Sequence, residues 1–245
     1  EVYKQEPSLK ENLPLGYLTA LKHAASPARR LLSINYVEKI ALQARRVIAR
    51  YPQYSPHYIY FLWARIRVNY QHKQWDRIIG ALASESEQHL AIYQLGAFRT
   101  ALKIYVVLAV AYLLKGQYIP AESYIVAYRK SKVTKDESLN RCVDLLELIM
   151  WVESGNHEKL KQRINYFKRQ LKKKGKGDFS LLYNFHLGLF ANISKEPFSK
   201  DELTANALLE VANYPFDPIL YYYSFFHIER WLQATATRQP WLAII

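Results

Sequence analysis

Seven histidines are the residues of this chain best suited to chemistry, and their spacing argues against it. None is separated from another histidine, a cysteine or a carboxylate by the intervals that metal ligands use. His227 and Glu229 are two residues apart on a predicted helix, so they point to different sides. His186, between two apolar residues, is typical of a core histidine with hydrogen-bonded ring nitrogens. The sequence therefore predicts no metal and no cofactor.

Glycines and the single cysteine are equally poor in catalytic signals. Gly175 and Gly177 flank Lys176, but the Gly-Lys-Ser/Thr step that opens a phosphate-binding P-loop is missing, as are GxSxG and GxGxxG patterns. Cys142 lies on an apolar helical stripe and is predicted to be a buried thiol. We therefore predict no catalytic residue and no enzyme. One cysteine excludes an intrachain disulfide and is typical of a reducing compartment, so we predict a cytoplasmic protein.

The composition indicates a helical protein with a basic surface. Half of the 245 residues are hydrophobic, only 8 are glycine, and the formal net charge is +13. Such a charge attracts nucleic acid, anionic lipid or acidic proteins, although a merely soluble basic surface is the alternative. The most apolar run, from Ile104 to Leu114, is bounded by lysines and is far shorter than the roughly 20 residues of a spanning helix. We predict no membrane span.

A helix-start signal recurs about every 40 residues. The N-cap candidates Ser55, Thr134, Asp178 and Asp217 are separated by 79, 44 and 39 residues, and 79 is nearly two periods. Long first helices are predicted to begin near 56, 97, 136, 179 and 218, and second helices near 75, 118, 157 and 200. Because one hairpin cannot bury both apolar faces, neighbouring hairpins must stack. The fold class is therefore predicted as all-α, an α-solenoid or superhelix of about five antiparallel helix hairpins and a final helix.

Local patterns predict further boundaries. Leu15–Ala25 is a helix candidate, Ser26-Pro27 a fresh cap, and Asn35 the cap of a helix over Tyr36–Tyr51. Ser84–Glu87 is a capping box for a short helix, and Ser199 with Glu202 is another. We predict a loosely ordered segment 1–14, a helical-repeat domain 15–236 and an apolar tail 237–245. That tail and the start without Met leave open a homodimer, or a sensor or assembly domain of a larger regulator.

The clearest repeat unit resembles the tetratricopeptide repeat. It reads Tyr105-x-x-Leu108-Ala109-x-x-Tyr112-x-x-x-Gly116-x-Tyr118-x-x-Ala121. Here the period is longer than the family's usual 34, and Lys73 and Gln74 stand where a turn glycine is expected. The resemblance implies a scaffold that binds a peptide or protein in a groove along its first helices. The implied lining residues are Tyr60, Trp63, Arg67, Tyr70, Lys103, Val106, Val110 and Leu113, with inter-repeat core as the alternative for Tyr60 and Trp63.

A basic helix supplies the rival function. Between Asn156 and Gly177 nine lysines and arginines accompany one acidic residue, Glu158. The patch consists of Lys161, Lys168, Arg169, Lys172, Lys173, Lys174 and Lys176. It could contact nucleic-acid phosphates with a steep salt dependence. The alternative is an ordinary solvated face of a helix whose apolar seam is Leu160, Ile164, Phe167 and Leu171. A non-catalytic scaffold for a protein partner, with an acidic one favoured by the charge, is the leading prediction.

Overall fold

The structure is a computed structural model that describes residues 9–30, 33–83, 99–131, 137–174, 181–196, 199–211 and 228–240. Within these ranges every regular element is helical. A single helical turn, Leu9–Asn12, comes first, and a 3-10 helix covers Pro52–His57. The longer helices are α1 Pro14–Arg30, α2 Ile34–Arg50, α3 Tyr58–Gln71, α4 Trp75–Ala83, α5 Arg99–Leu114, α6 Tyr118–Lys130, α7 Glu137–Glu153, α8 His157–Lys174, α9 Leu181–Ile193, α10 Lys200–Val211 and α11 Ile228–Ala236.

The chain forms two compact units. The first comprises residues 1–108 and 131–133, and the second comprises 109–130 and 134–245. Helix α5 begins in the first unit and ends in the second. The one-domain reading of residues 15–236 stays a prediction.

Helices α1 to α4 of the first unit pack in sequence order. α1 packs against both α2 and α3, α2 against α3, and α3 against α4. One face of α2 is buried at Val37, Ile40, Ala41, Ala44 and Ile48. A side chain of the size of Ile40, when fully removed from water, contributes about 1.5–3 kcal/mol. Arg65 of α3 reaches Glu38 of α2 at 2.8 Å, which ties the two helices at their half-exposed edge.

The helix start predicted at Ser26-Pro27 is wrong. α1 runs unbroken through Ser26-Pro27, so no new helix begins there. Leu18, Leu21 and Ala25 are buried at helical spacing and hold the helix in place. Since Pro27 has no N–H, only its own hydrogen bond to the preceding turn is missing.

The caps of α2 and α3 also differ from the prediction. Ser33, rather than Asn35, occupies the N-cap of α2, although its side chain makes no capping bond. Ser55 does not start an α-helix. It lies inside the 3-10 helix, as does Pro56, and α3 begins only at Tyr58. The predicted caps Thr134, Asp178 and Asp217, and the capping box at 84–87, lie outside the described residues.

In the second unit each helix from α6 to α11 packs against the next described helix. In addition α7 packs against α9, two helices further on. Contacts of a helix with its next two neighbours are consistent with a helical array. The Ser199 hydroxyl, predicted to accept from the N–H of residue 202 in a capping box, donates to the Glu196 carbonyl at 3.0 Å.

Four helices end in the same backbone hydrogen-bond pattern. α3, α5, α7 and α11 are followed by a residue of positive φ: Lys73 (57°), Gly116 (68°), Gly155 (67°) and Arg238 (54°). The next residue donates its N–H to the carbonyl five positions back at 2.8–2.9 Å, as in a Schellman motif. That next residue is Gln74, Gln117, Asn156 or Gln239, each carrying a side-chain amide.

This helix stop sets the spacing of the hairpins. After the first three stops, α4, α6 and α8 begin at Trp75, Tyr118 and His157, and α10 begins at Lys200. These four starts confirm the predicted positions of the second helices. Among the first helices, α3 begins at Tyr58, two residues after the predicted 56. The predicted starts at 97, 136, 179 and 218 lie outside the described residues, and α5, α7 and α9 are described from Arg99, Glu137 and Leu181.

Candidate partner-binding surfaces

The candidate groove residues of α3 lie on its least buried side. Tyr60, Arg67 and Tyr70 are half-buried, whereas Trp63 is only 9% exposed. Residues three and four positions apart share one face of a helix, so these four form a stripe. We name Tyr60, Trp63, Arg67 and Tyr70 the α3 stripe.

Both tyrosines of the α3 stripe are already engaged in the folded chain. The Lys22 ammonium lies 3.8 Å from the centroid of the Tyr60 ring. The Tyr70 ring meets that of Trp75 edge-on, with centroids 5.2 Å apart. These contacts fix the two rings at low entropic cost and leave part of each exposed. Arg67 places a guanidinium between them along the helix.

The candidate residues of α5 are mostly core. Val106, Val110 and Leu113 are 2%, 1% and 4% exposed, and only Lys103 is half-buried. A partner could not touch these three apolar side chains without displacing the groups that cover them. The α5 residues therefore add at most Lys103 to a partner-binding surface in this conformation.

The apolar seam of α8 is confirmed. Leu160, Ile164 and Phe167 are 0%, 3% and 5% exposed, while the side chain of Leu171 lies outside the described residues. The rest of this basic helix consequently faces its neighbours at the edges or solvent. The five cations of α8 whose side chains are described fall into two groups with different surroundings.

Two cations of α8 pair with carboxylates of neighbouring helices, Arg163 half-buried and Lys159 exposed. Arg163 lies 2.7 Å from Glu147 of α7, and its guanidinium carbon is 4.8 and 4.6 Å from the ring centroids of Tyr166 and Phe167. Lys159 lies 3.0 Å from Glu122 of α6. These contacts hold α8 against its neighbours, so both side chains are structural.

Glu147 also joins a second arginine. Arg129 of α6 pairs with Glu147 at 3.1 Å and with Asp144, so a charge network spans α6, α7 and α8. The two carboxylates raise the pKa of Arg129, although burial, the largest single influence, works in the opposite direction. The sequence places Arg129 near the basic helix but gives no sign of these carboxylate partners.

Three members of the predicted basic patch face solvent: Lys161, Lys168 and Arg169. We name these three the α8 outer face. Within the part of the chain that the structure describes, neither lysine has a carboxylate partner. Positions 172–174 belong to the helix, but their side chains lie outside the described residues, as does all of Lys176.

His186 is buried as predicted, but it is not hydrogen-bonded. Its side chain in α9 is 0% exposed, and neither ring nitrogen has a partner among the described residues. Desolvation lowers the pKa of His186 to about 3, so the ring is neutral. Its ring packs edge-on against Phe185 at 5.4 Å between centroids. The expectation of satisfied nitrogens is therefore wrong.

A carboxylate that the sequence did not single out joins three helices. Glu153, at the end of α7, accepts from the Trp231 indole N–H of α11 at 3.0 Å and pairs with Lys200 of α10 at 3.2 Å. A carboxylate at a helix C-terminus is disfavoured by the helix dipole, and these two donors offset that. Trp231 itself is 0% exposed and stacks on Phe190.

No group of three or more His, Cys, Asp and Glu side chains within the described ranges is arranged to hold a metal ion. Among the helices seen in those ranges, none combines the length and apolarity needed to cross a bilayer. Cys142 is buried as predicted, at 1% exposure.

Comparison with protein-family models, with curated proteins and with solved structures finds no match for this chain.

Proposed function

We propose that this chain is a non-catalytic protein-interaction scaffold built as a tetratricopeptide-like helical array. The observation that carries the proposal is the recurrence of one helix stop before α4, α6 and α8, with each of these helices beginning two residues later. Repeated hairpins of this kind commonly present a long ladder of helix faces to a peptide or protein. The packing of α7 on α9 supports stacking of successive first helices.

The α3 stripe is the surface that we propose for docking. Half-exposed tyrosines flanking an arginine are the residue types that dominate the energetics of protein interfaces. Since Tyr60 and Tyr70 are held by Lys22 and Trp75, a partner would meet rings that are already ordered. Trp63 beneath them supports the stripe from the core.

A peptide-display selection against the immobilised chain tests this proposal. Peptides with a shared motif should be enriched, and their affinity should fall at least about tenfold when Tyr60→Ala and Arg67→Glu are combined. The matched control changes the same residue types on α2, Tyr36→Ala with Arg46→Glu, where both side chains are exposed. It should bind as the unmodified chain does.

Circular dichroism must show the same helix content in both variants. The proposal fails if no peptide is enriched, or if the α3 and α2 variants bind the enriched peptides equally well.

A further inference from the structure

Of the five described cations of α8, two pair with carboxylates of neighbouring helices and three do not pair with a described carboxylate. Arg163 forms an ion pair with Glu147, and Lys159 forms one with Glu122. Neither lysine of the α8 outer face pairs with a carboxylate of the described residues. The chain as a whole carries a net charge of +13. We propose that the α8 outer face binds an acidic segment of a protein partner. It shares no residue with the α3 stripe, so either surface can bind without the other.

The spacing of the two lysines fits carboxylates on an extended or helical chain. Lys161 and Lys168 are seven residues apart, which on an α-helix is about 10 Å along the axis with almost no rotation. An extended segment in the polyproline II conformation has three residues per turn and rises about 3.1 Å per residue, so acidic residues at every third position lie on one side about 9 Å apart. On a partner helix the same match comes from acidic residues two turns apart.

Neighbouring groups leave the outer face open to an anion. Glu158, the acidic residue nearest in sequence, accepts a hydrogen bond from the Gln162 amide at 3.2 Å on its own helix. The Arg169 Nε donates to the Asn165 carbonyl at 3.3 Å, which holds the guanidinium beside the lysine row. Exposed lysines keep their hydration, so binding gains mainly from long-range attraction and is sensitive to salt.

The described surroundings favour a protein segment over single-stranded nucleic acid. Nucleic-acid grooves combine cations with aromatic faces on which bases stack. The exposed ring of α8, Tyr166, lies about 140° around the helix axis from Lys161. The Arg163 guanidinium already lies over that ring. The outer face therefore offers charge without a stacking platform.

Fluorescence anisotropy with three labelled probes tests the proposal at low and at physiological salt. The probes are a peptide with glutamate at every third position, the same peptide with glutamine, and a single-stranded RNA of similar length. The test variant combines Lys161→Glu and Lys168→Glu. The control variant combines Lys39→Glu and Arg46→Glu, two exposed α2 cations that are also seven residues apart, so its net charge changes equally.

We expect the glutamate peptide to bind and the glutamine peptide not to bind. The test variant should weaken binding at least about tenfold, and the control variant less than about twofold. Lys161→Gln with Lys168→Gln should give an intermediate loss without introducing repulsion.

Three results would overturn the proposal. Equal losses in the test and control variants would mean that net charge alone governs binding. Equal binding of the glutamate and glutamine peptides would show that the outer face does not recognise carboxylates. Tighter binding of the RNA, with displacement of the peptide and loss in the test variant, would make the outer face a nucleic-acid surface.

Discussion

Acidification should destabilise this protein through one buried imidazole. Between the ordinary pKa of 6.5 and a folded-state pKa of about 3, the unfolded chain binds a proton at His186 that the folded chain does not. Stability from this residue is therefore fully present above about pH 6.5 and is lost as the pH falls toward about 3. The physical cause is desolvation of a ring whose nitrogens have no described partner.

The magnitude follows from the two pKa values. One proton of difference lowers the free energy of unfolding by about 1.4 kcal/mol per pH unit within this window. From about pH 7.5 to about pH 5 the integrated loss is about 2 kcal/mol. His186→Phe removes the titrating group and keeps an apolar ring, so this variant should lack that part of the loss.

Urea unfolding followed by circular dichroism at several pH values measures the effect. The free energy of unfolding is compared between the wild type and His186→Phe at each pH. In that difference the contributions of the carboxylates, which both proteins share, cancel. His186→Leu should behave like His186→Phe, which excludes a special role of the phenyl ring. Phe190→Leu, a packing change in the same helix, should lower stability yet keep the wild-type pH dependence.

Parallel pH dependences of the wild type and both His186 variants would refute the reasoning. Such a result would mean that the imidazole is protonated in the folded state, or hydrogen-bonded by water or by a residue outside the described ranges.

Four further substitutions test the helix stop and the two charge clusters. Gly116→Ala should destabilise by about 1 kcal/mol, because the φ of Gly116 is +68°. No atom crowds the added Cβ, so this backbone strain is the whole cost. Lys73→Gly removes the same strain and should stabilise by up to about 1 kcal/mol, and urea midpoints measure both changes. Glu153→Ala should lower the free energy of unfolding by about 1–3 kcal/mol, because the buried indole N–H of Trp231 loses its acceptor. Unfolding followed by tryptophan fluorescence measures this loss. Arg163→Ala should cost about 1–2 kcal/mol in thermal unfolding through the lost pair and ring contacts.

Lys161→Ala is the control for Arg163→Ala and should stay within about 0.5 kcal/mol of the wild type, because the lysine is exposed. An equal loss in both would contradict the division of α8 into structural and outer cations. Stabilisation by Gly116→Ala, or destabilisation by Lys73→Gly, would contradict the left-handed conformation at these positions. An unchanged Glu153→Ala variant would mean that Trp231 finds another acceptor.

The second helices were predictable because their signals are local. The stops at Gly116 and Gly155 use the residue that adopts positive φ without strain, and the apolar period resumes directly after them. Lys73 makes the same turn with a side chain, at a cost of about 1–2 kcal/mol. The turn was predicted at the correct place, but the missing glycine was interpreted as a departure from the tetratricopeptide pattern. Local propensity alone does not show that tertiary packing outweighs the backbone strain at Lys73.

The candidate surfaces were only partly predictable, for two physical reasons. α5 is apolar on nearly every side, so its pattern carries no period that separates a groove face from a core face, and the choice of Val106 and Val110 came from a resemblance. α8 has one apolar stripe, so burial of Leu160 and Ile164 followed directly. The inward turn of Arg163 depends on a carboxylate of another helix, which no pattern within α8 reveals.

The repeated helix stop bears on how fast this chain acquires its fold. Each stop turns the backbone over only a few residues, so the helices that pack together are close neighbours along the sequence. Forming such contacts closes short loops, and chains dominated by short loops cross their folding barrier in microseconds to milliseconds. Since a hairpin such as α3–α4 closes only a short loop, we expect its contacts to form early in folding.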